Sequence, residues 1–174
     1  MAASAAPVRR TVSYKTCAFT GHRPQKMAFG FDEEDSRCAA FKQRLTRTLE
    51  DLIGQGYARF LSGGAMGFDT FAAEAVLDLR EKYPWISLEM VCPYEGQAEK
   101  WGEAYRRRHD RLVALADRVV TMTRDYEKGS IFRRNRYLVN HCDLLLAAFD
   151  GQPGGTAMTV DYARSRSVDV RIFA

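Results

Sequence analysis

The stretch FLSGGAMGFDTFAAEA, residues 60–75, joins a short apolar run to a glycine-rich turn and then to an alanine-rich segment. This order predicts a strand, a tight turn and the start of a helix. Glycines let backbone N–H groups approach an anion, and a helix start supplies unpaired donors and the positive end of a dipole. Ser62-x-Gly64-x-x-Gly67 also matches the dinucleotide fingerprint, with serine in the first glycine place. The competing interpretation is a strand–helix turn that binds nothing.

The rest of the chain repeats this alternation of apolar runs and helical patterns. Strands are predicted at Lys15–Thr20, Tyr57–Leu61, Ile86–Val91, Arg118–Met122, Asp143–Phe149 and Val168–Phe173. Helices are predicted at about Ser36–Ile53, after Gly67, and at Gln97–Ala116, Phe132–Cys142 and Ala157–Ser165. Parallel strands need such helical crossovers. The fold class is therefore α/β, a Rossmann-like three-layer fold with a mainly parallel sheet of about six strands flanked by helices.

A second glycine turn, Asp150–Thr156, follows the fifth predicted strand. Right-handed crossovers place every strand–helix turn on one edge of a parallel sheet. The two glycine turns and the segment Gly21-His22-Arg23 should therefore face a common crevice. Arg23 could fork onto a phosphate or a carboxylate. Two turns of this kind are stronger evidence for an anion site than either one alone.

Length and composition limit the number of domains, the cellular setting and the kinds of site that the chain can contain. The chain has 174 residues, of which 46% are hydrophobic, and its net charge is +4. Residues 1–14 are expected to be a disordered lead-in, and residues 15–174 a single domain. No apolar run approaches the roughly 20 residues that span a bilayer, and the four scattered cysteines indicate a reducing, cytoplasmic setting. The three histidines lie far apart in the sequence, so no metal site and no cofactor are predicted.

Five motifs, in this order, resemble those of the YpsA-like proteins of the SLOG superfamily, the Rossmann-like group that includes the LOG nucleoside-monophosphate hydrolases and DprA. The resemblance runs from about Thr16 to the end of the chain. It rests on FTGHRP (Phe19–Pro24), LSGGAMGFDTFAAEAVL (Leu61–Leu77), CPYEGQAEKW (Cys92–Trp101), RNRYLV (Arg134–Val139) and GGTAMTVDYA (Gly154–Ala163).

The resemblance implies a nucleotide-derived ligand at the carboxyl edge of the sheet. Tyr94 or Trp101 could stack on a base, although an indole more commonly packs in a core. Asp69 either complements the helix dipole, or contacts a ribose or orients the glycine turn. The ligand-binding positions that the resemblance implies are Gly21, His22, Arg23, Ser62, Gly63, Gly64, Gly67, Asp69, Gln97, Trp101, Arg134, Asn135, Gly154, Gly155 and Thr156.

One departure from the LOG enzymes concerns catalysis. Their motif PGGxGTxxE ends in a catalytic glutamate, whereas the stretch from Pro153 reads PGGTAMTVD. Asp161 falls at the place of the glutamate but is one methylene shorter, and a shorter arm could leave the carboxylate out of reach. Asp161 is thus the leading catalytic candidate if the protein is an enzyme. The alternative is a solvated helix residue.

Three functions follow in order of preference. The first is the binding, or sensing, of a phosphate-containing nucleotide derivative through the two glycine turns. The second is the hydrolysis of such a compound by LOG-like N-glycosidic cleavage. The third is single-stranded nucleic-acid binding of the DprA kind, which the modest charge favours less. The sequence leaves self-association open and indicates no membrane partner.

Overall fold

The computed structural model describes residues 13–174. Six strands alternate with five α-helices along these residues, as predicted. The strands are β1 (Lys15–Gly21), β2 (Tyr57–Ser62), β3 (Ser87–Cys92), β4 (Arg118–Thr121), β5 (Leu144–Ala148) and β6 (Asp169–Phe173). The helices are α1 (Ser36–Gly54), α2 (Phe68–Lys82), α3 (Glu103–Leu115), α4 (Ser130–Asn140) and α5 (Gly155–Ser165). A short 3-10 turn, Pro24–Lys26, follows β1.

The strands form one sheet in the order β4-β3-β2-β1-β5-β6, and every neighbouring pair is parallel. The predicted Rossmann-like α/β fold is therefore confirmed. The strand order reverses at β1, because β2, β3 and β4 extend to one side and β5 and β6 to the other. Open α/β sheets bind ligands outside the carboxyl ends of the strands at such a switch point. The crevice between β1 and β5 is thus where a site is expected.

Alternation along the strands sends side chains into two cores, one on each face of the sheet. Cys17 and Phe19 of β1 pack with buried residues of α1, α2 and α3. Ala18 points the other way and packs with Leu138 of α4 and Val160 of α5. This period of two is what a strand covered on both faces requires. The arrangement fixes α4 and α5 on one face and the other three helices on the opposite face.

Four of the five described α-helices have a glycine at the N-cap position. Gly67, Gly102, Gly129 and Gly154 precede α2, α3, α4 and α5, and none supplies a side-chain cap. In contrast, Asp35 caps α1 by accepting a hydrogen bond from the N–H of Arg37 at 2.8 Å. A helix start without a side-chain cap leaves its first N–H groups free for other partners.

Two sequence-based predictions about the helices are wrong in detail. The predicted helix Gln97–Ala116 begins only at Glu103, because Gln97 lies in a turn and its side chain bonds the carbonyl of Gly63. The predicted helix Phe132–Cys142 instead spans Ser130–Asn140, and Phe132 is 42% exposed. The inward face of α4 carries Ser130, Arg134 and Leu138, which are spaced four residues apart, so Phe132 points outward.

The predicted lead-in, residues 1–14, lies outside the described residues except for its last two positions. The domain boundary at residue 15 stays a prediction. No helix within residues 13–174 combines the length and the hydrophobicity that crossing a membrane requires. The same part of the chain contains no group of three His, Cys, Asp or Glu side chains placed to hold a metal ion.

Candidate functional site

A cavity of about 360 Å³ opens at the switch point, outside the carboxyl end of β1. We call it the switch-point cavity. Its walls come from the end of β1, the 3-10 turn that follows, and the starts of α2, α4 and α5. The lining residues are Thr20, Gly21, His22, Arg23, Gln25, Lys26, Ala65, Asp69, Ile131, Arg134, Asn135, Gln152, Gly154, Gly155 and Thr156.

Arg134 is the most buried charged residue of the cavity wall, with 2% of its surface exposed. Its Nη1 donates to the carbonyl oxygens of Gly63 and, at 3.4 Å, of Val91. Its Nε donates to Oδ1 of Asn135 at 2.9 Å. No carboxylate among the described residues forms an ion pair with it. Burial lowers the pKa of Arg134, because a guanidinium ion loses solvation inside the protein.

The first glycine turn makes room for that guanidinium. A side chain at Gly63 would overlap the guanidinium of Arg134. Gly64 and Gly67 have φ angles of 68° and 94°, a conformation that other residues rarely adopt. A Cβ at Gly67 would also lie 2.5 Å from the carbonyl oxygen of His22. The glycines therefore shape the floor on which Arg134 and the end of β1 rest.

The N–H groups of this first turn bond within the protein. The N–H of Gly64 donates to Oγ of Ser62 at 3.2 Å, and the N–H of Ala65 donates to Oδ2 of Asp69 at 3.4 Å. The N–H of Phe68 donates to the carbonyl of His22 at 3.2 Å. Ser62, Gly63, Gly64 and Gly67 do not line the cavity, although all four were implied as ligand-binding positions.

The second glycine turn has a different arrangement. Gly154 has φ 152° and ψ −169°, and α5 begins directly after it. Within residues 13–174, no protein group accepts a hydrogen bond from the N–H of Gly155 or Thr156. Both residues line the switch-point cavity. The positive end of the α5 dipole and two free donors therefore face the same space as Arg134.

Two further cations line the cavity. Lys26 Nζ donates to the carbonyl of Pro153 at 3.3 Å, which holds the amine beside the second glycine turn. Arg23 is exposed at the rim, and neither cation has an ion-pair partner in the described part of the chain. His22 differs, because its Nε2 lies 3.0 Å from Oδ1 of Asp150. The cavity thus gathers three positive charges without direct carboxylate partners.

Asp69 is the carboxylate of the cavity wall. It lies in the first turn of α2 and is only 6% exposed. Burial raises the pKa of Asp69 to about 6, although the nearby charge of Arg134 and the hydrogen bond from Ala65 act in the opposite direction. A carboxyl group that titrates near neutral pH can both accept and donate a proton.

Gln97 and Trp101 belong to a different part of the molecule. They line a separate hollow of about 490 Å³ with Tyr94, which shares no residue with the switch-point cavity. Gln97 Nε2 donates to the carbonyl of Gly63 at 3.0 Å, so this side chain supports the floor beneath Arg134 from outside the cavity.

Asp161 also lies away from the cavity. Its side chain is 77% exposed on α5 and lies 3.9 Å from Arg164. It lines a third hollow, of about 310 Å³, with Phe132 and Met158. The residue at the place of the LOG glutamate therefore does not line the switch-point cavity.

The structure brings together nine of the fifteen implied ligand positions in the switch-point cavity. They are Gly21, His22, Arg23, Asp69, Arg134, Asn135, Gly154, Gly155 and Thr156. The sequence reasoning missed Thr20, Gln25, Lys26, Ala65, Ile131 and Gln152. Lys26 had a usable signal, since it follows a His-Arg-Pro turn at a strand end and is a third cation there.

Comparison with known families gives one match over most of the chain. The YpsA model, described as the YspA SLOG family, matches residues 17–170. A UPF0398 protein of Bacillus velezensis is 31% identical over 144 residues, which are 82% of this chain and 79% of the relative. The UPF0398 protein YpsA of Bacillus subtilis is 28% identical over the same shares of both chains.

Comparison with solved structures gives the same fold at low sequence identity. DNA processing protein A from Helicobacter pylori, whose structure was described for its single-stranded DNA binding mode, superposes with a TM-score of 0.61 at 17% identity. DprA from Streptococcus pneumoniae gives 0.62 at 18% identity. Both matches cover 90% of this chain but only 63% and 49% of those longer proteins, respectively. These likenesses show the fold alone.

Proposed function

The chain belongs to the YspA SLOG family, and on that premise we propose that the switch-point cavity binds a nucleotide-derived ligand through its phosphate. The observation that carries this proposal is Arg134, a buried guanidinium in the cavity wall without an ion-pair partner in the described chain. The second glycine turn, with its free N–H groups, lines the same cavity.

Burial of an uncompensated charge is costly for a protein. An ion taken out of water loses several kcal/mol of solvation, which only good partners offset. Arg134 has carbonyl and amide partners but no direct carboxylate partner among the described residues. A phosphate would supply a direct anionic partner, and its oxygens suit the planar fork of a guanidinium.

The other walls complete a phosphate site. The start of α5 offers two backbone donors and the positive end of a helix dipole, which together favour an anion. Lys26 and Arg23 add charge from the rim. A volume of about 360 Å³ lies at the lower end of the range of pockets that bind small molecules.

Hydrolysis of the bound nucleotide is the second candidate. It is favoured by Asp69, which lines the cavity and whose pKa is raised to about 6 by burial. A carboxyl group with that pKa can serve as a general acid or base. Asp161 would not perform this role from its exposed position on α5.

A thermal-shift panel tests the proposal. The compounds are AMP, ADP-ribose, NAD, inorganic phosphate and a short single-stranded oligonucleotide. A ligand well above its Kd raises the melting temperature of the protein that binds it. We expect a nucleotide to stabilise the wild type but not Lys26→Gln. Lys128→Gln, which removes an exposed lysine away from the cavity, is the matched control.

Three results would distinguish the candidates. If chromatography shows that the protein breaks down the stabilising nucleotide, the protein is a hydrolase. Stabilisation by the oligonucleotide alone, lost as salt is added, would favour nucleic-acid binding of the DprA kind. No stabilisation by any phosphate compound would contradict the proposal.

A further inference from the structure

A second cavity of about 420 Å³ adjoins the switch-point cavity. His22 and Lys26 line both, so the two spaces share a wall. We call the second one the aromatic cavity. It lies outside the carboxyl ends of β5 and β6 and against one face of α1. Its further lining includes Phe29, Phe41, Ala40, Arg44, Phe149 and Phe173.

The lining of the aromatic cavity suits a flat ring. Four phenylalanines contribute to it, and the rings of Phe41 and Phe173 meet edge to face with centroids 5.0 Å apart. The guanidinium carbon of Arg44 lies 6.0 Å from the centroid of each of these two rings. Arg44 is exposed and has no ion-pair partner within residues 13–174. Aromatic faces and a free guanidinium plane are the groups on which bases stack.

Arg37 stands beside Arg44 on the same face of α1 but is held differently. Its Nε and Nη2 donate to the carboxylate of Asp35, at 3.0 Å and 2.6 Å respectively. Arg44 is therefore the free guanidinium of this wall, since Arg37 is already engaged.

We infer that the ligand spans both cavities, with its phosphate in the switch-point cavity and its planar base in the aromatic cavity. This inference rests on the proposed function and adds the direction in which the ligand runs. The ligand class is a phosphate ester that carries an aromatic base, a mononucleotide or larger. The linking sugar passes His22 and Lys26, which line both spaces.

The hollow of Tyr94 and Trp101 is the other aromatic space at this edge of the sheet. It is lined by Glu95 and Glu99 as well, and it shares no residue with the switch-point cavity. A base placed there would be separated from a phosphate bound at Arg134. The aromatic cavity, by contrast, shares two lining residues with the switch-point cavity, so we place the base there and not in the hollow of Tyr94 and Trp101.

A single substitution on α1 tests the direction of the ligand. Ala40 is exposed and lines the aromatic cavity, so Ala40→Trp fills that space without touching the switch-point cavity. Ala39→Trp is the matched control, because Ala39 is exposed on the same helix and does not line the aromatic cavity. The probes are AMP and ribose 5-phosphate, which lacks the base. Binding is measured by isothermal titration calorimetry on the full chain.

We expect Ala40→Trp to weaken AMP binding by about tenfold or more, the size of a lost base-stacking contact. Ribose 5-phosphate should bind both tryptophan variants and the wild type alike. Arg44→Met, at an exposed position, should weaken AMP binding in the same direction while leaving ribose 5-phosphate unchanged. Circular dichroism of each variant confirms that it is folded.

Four results would overturn the inference. AMP binding that survives Ala40→Trp places the base elsewhere. An equal loss for ribose 5-phosphate means that the substitution disturbs the phosphate site instead. Equal affinity of the wild type for both probes means that no base contact exists, although the proposed phosphate site then still stands. Failure of the wild type to bind either probe refutes the proposed function and this inference together.

Discussion

Asp69→Asn should change how the stability of the protein depends on pH. Burial raises the pKa of Asp69 from 3.8 to about 6 in the folded protein. The folded state therefore binds this proton more tightly than the unfolded state does. The stabilisation is fully present below about pH 4 and is lost as the pH rises through 6. Asparagine cannot ionise, so the variant lacks this loss.

The size of the effect follows from the two pKa values. A difference of about two pKa units, at roughly 1.4 kcal/mol each, is worth about 3 kcal/mol. The unfolded carboxyl group is already partly ionised at pH 4, so the free energy of unfolding of Asp69→Asn, relative to wild type, should rise by about 2 kcal/mol between pH 4 and pH 7. The side chain is buried, so solvent screening reduces this value little.

Urea unfolding at pH 4, 5, 6 and 7 measures this difference for both proteins. Asp78→Asn is the matched control, because it removes an exposed carboxyl group from the same helix. A stability difference between Asp69→Asn and wild type that is constant across this range would mean that the pKa of Asp69 is not raised in the folded protein. A difference that falls with pH would mean that the charge of Arg134 outweighs the burial of Asp69.

Three other substitutions give separate tests. Gln97→Ala removes a hydrogen bond to the carbonyl that also accepts from Arg134, and calorimetry should show AMP affinity falling about three- to tenfold with the fold intact. Gly67→Ala should lower the free energy of unfolding, measured with urea, by about 2 kcal/mol or more, because a φ of 94° strains any residue with a side chain. The control Gly102→Ala should lower it by less than about 1 kcal/mol, because a Cβ at Gly102 meets no neighbouring atom. Equal losses at the two sites would contradict this prediction. Asp161→Asn should leave nucleotide affinity and any turnover unchanged, because the side chain is exposed on α5; lost turnover would restore the LOG-like assignment.

The fold could be predicted because its signals are local. Each strand of the sheet contains a short apolar stretch, and β5 is apolar along its whole length, as a strand covered on both faces requires. Glycines lie at or shortly after the ends of β1, β2 and β5. The late start of α3 could not be read from the sequence, because the side chain of Gln97 bonds a carbonyl 34 residues away along the chain.

The part of the site that could be predicted also rests on local sequence signals. Glycine turns at strand ends indicate where backbone could approach an anion, but not which N–H groups remain free. In the folded chain Ser62 and Asp69 occupy those of the first turn, and the start of α5 keeps its own. The burial of Arg134 depends on the space left by Gly63, which lies 71 positions away. Such long-range pairings leave no pattern in a single sequence.

A crystal structure of the protein grown with AMP would show where the phosphate binds. We expect a phosphorus atom between the guanidinium of Arg134 and the N–H groups of Gly155 and Thr156. A phosphate at the first glycine turn, or in the hollow of Tyr94 and Trp101, would contradict this expectation.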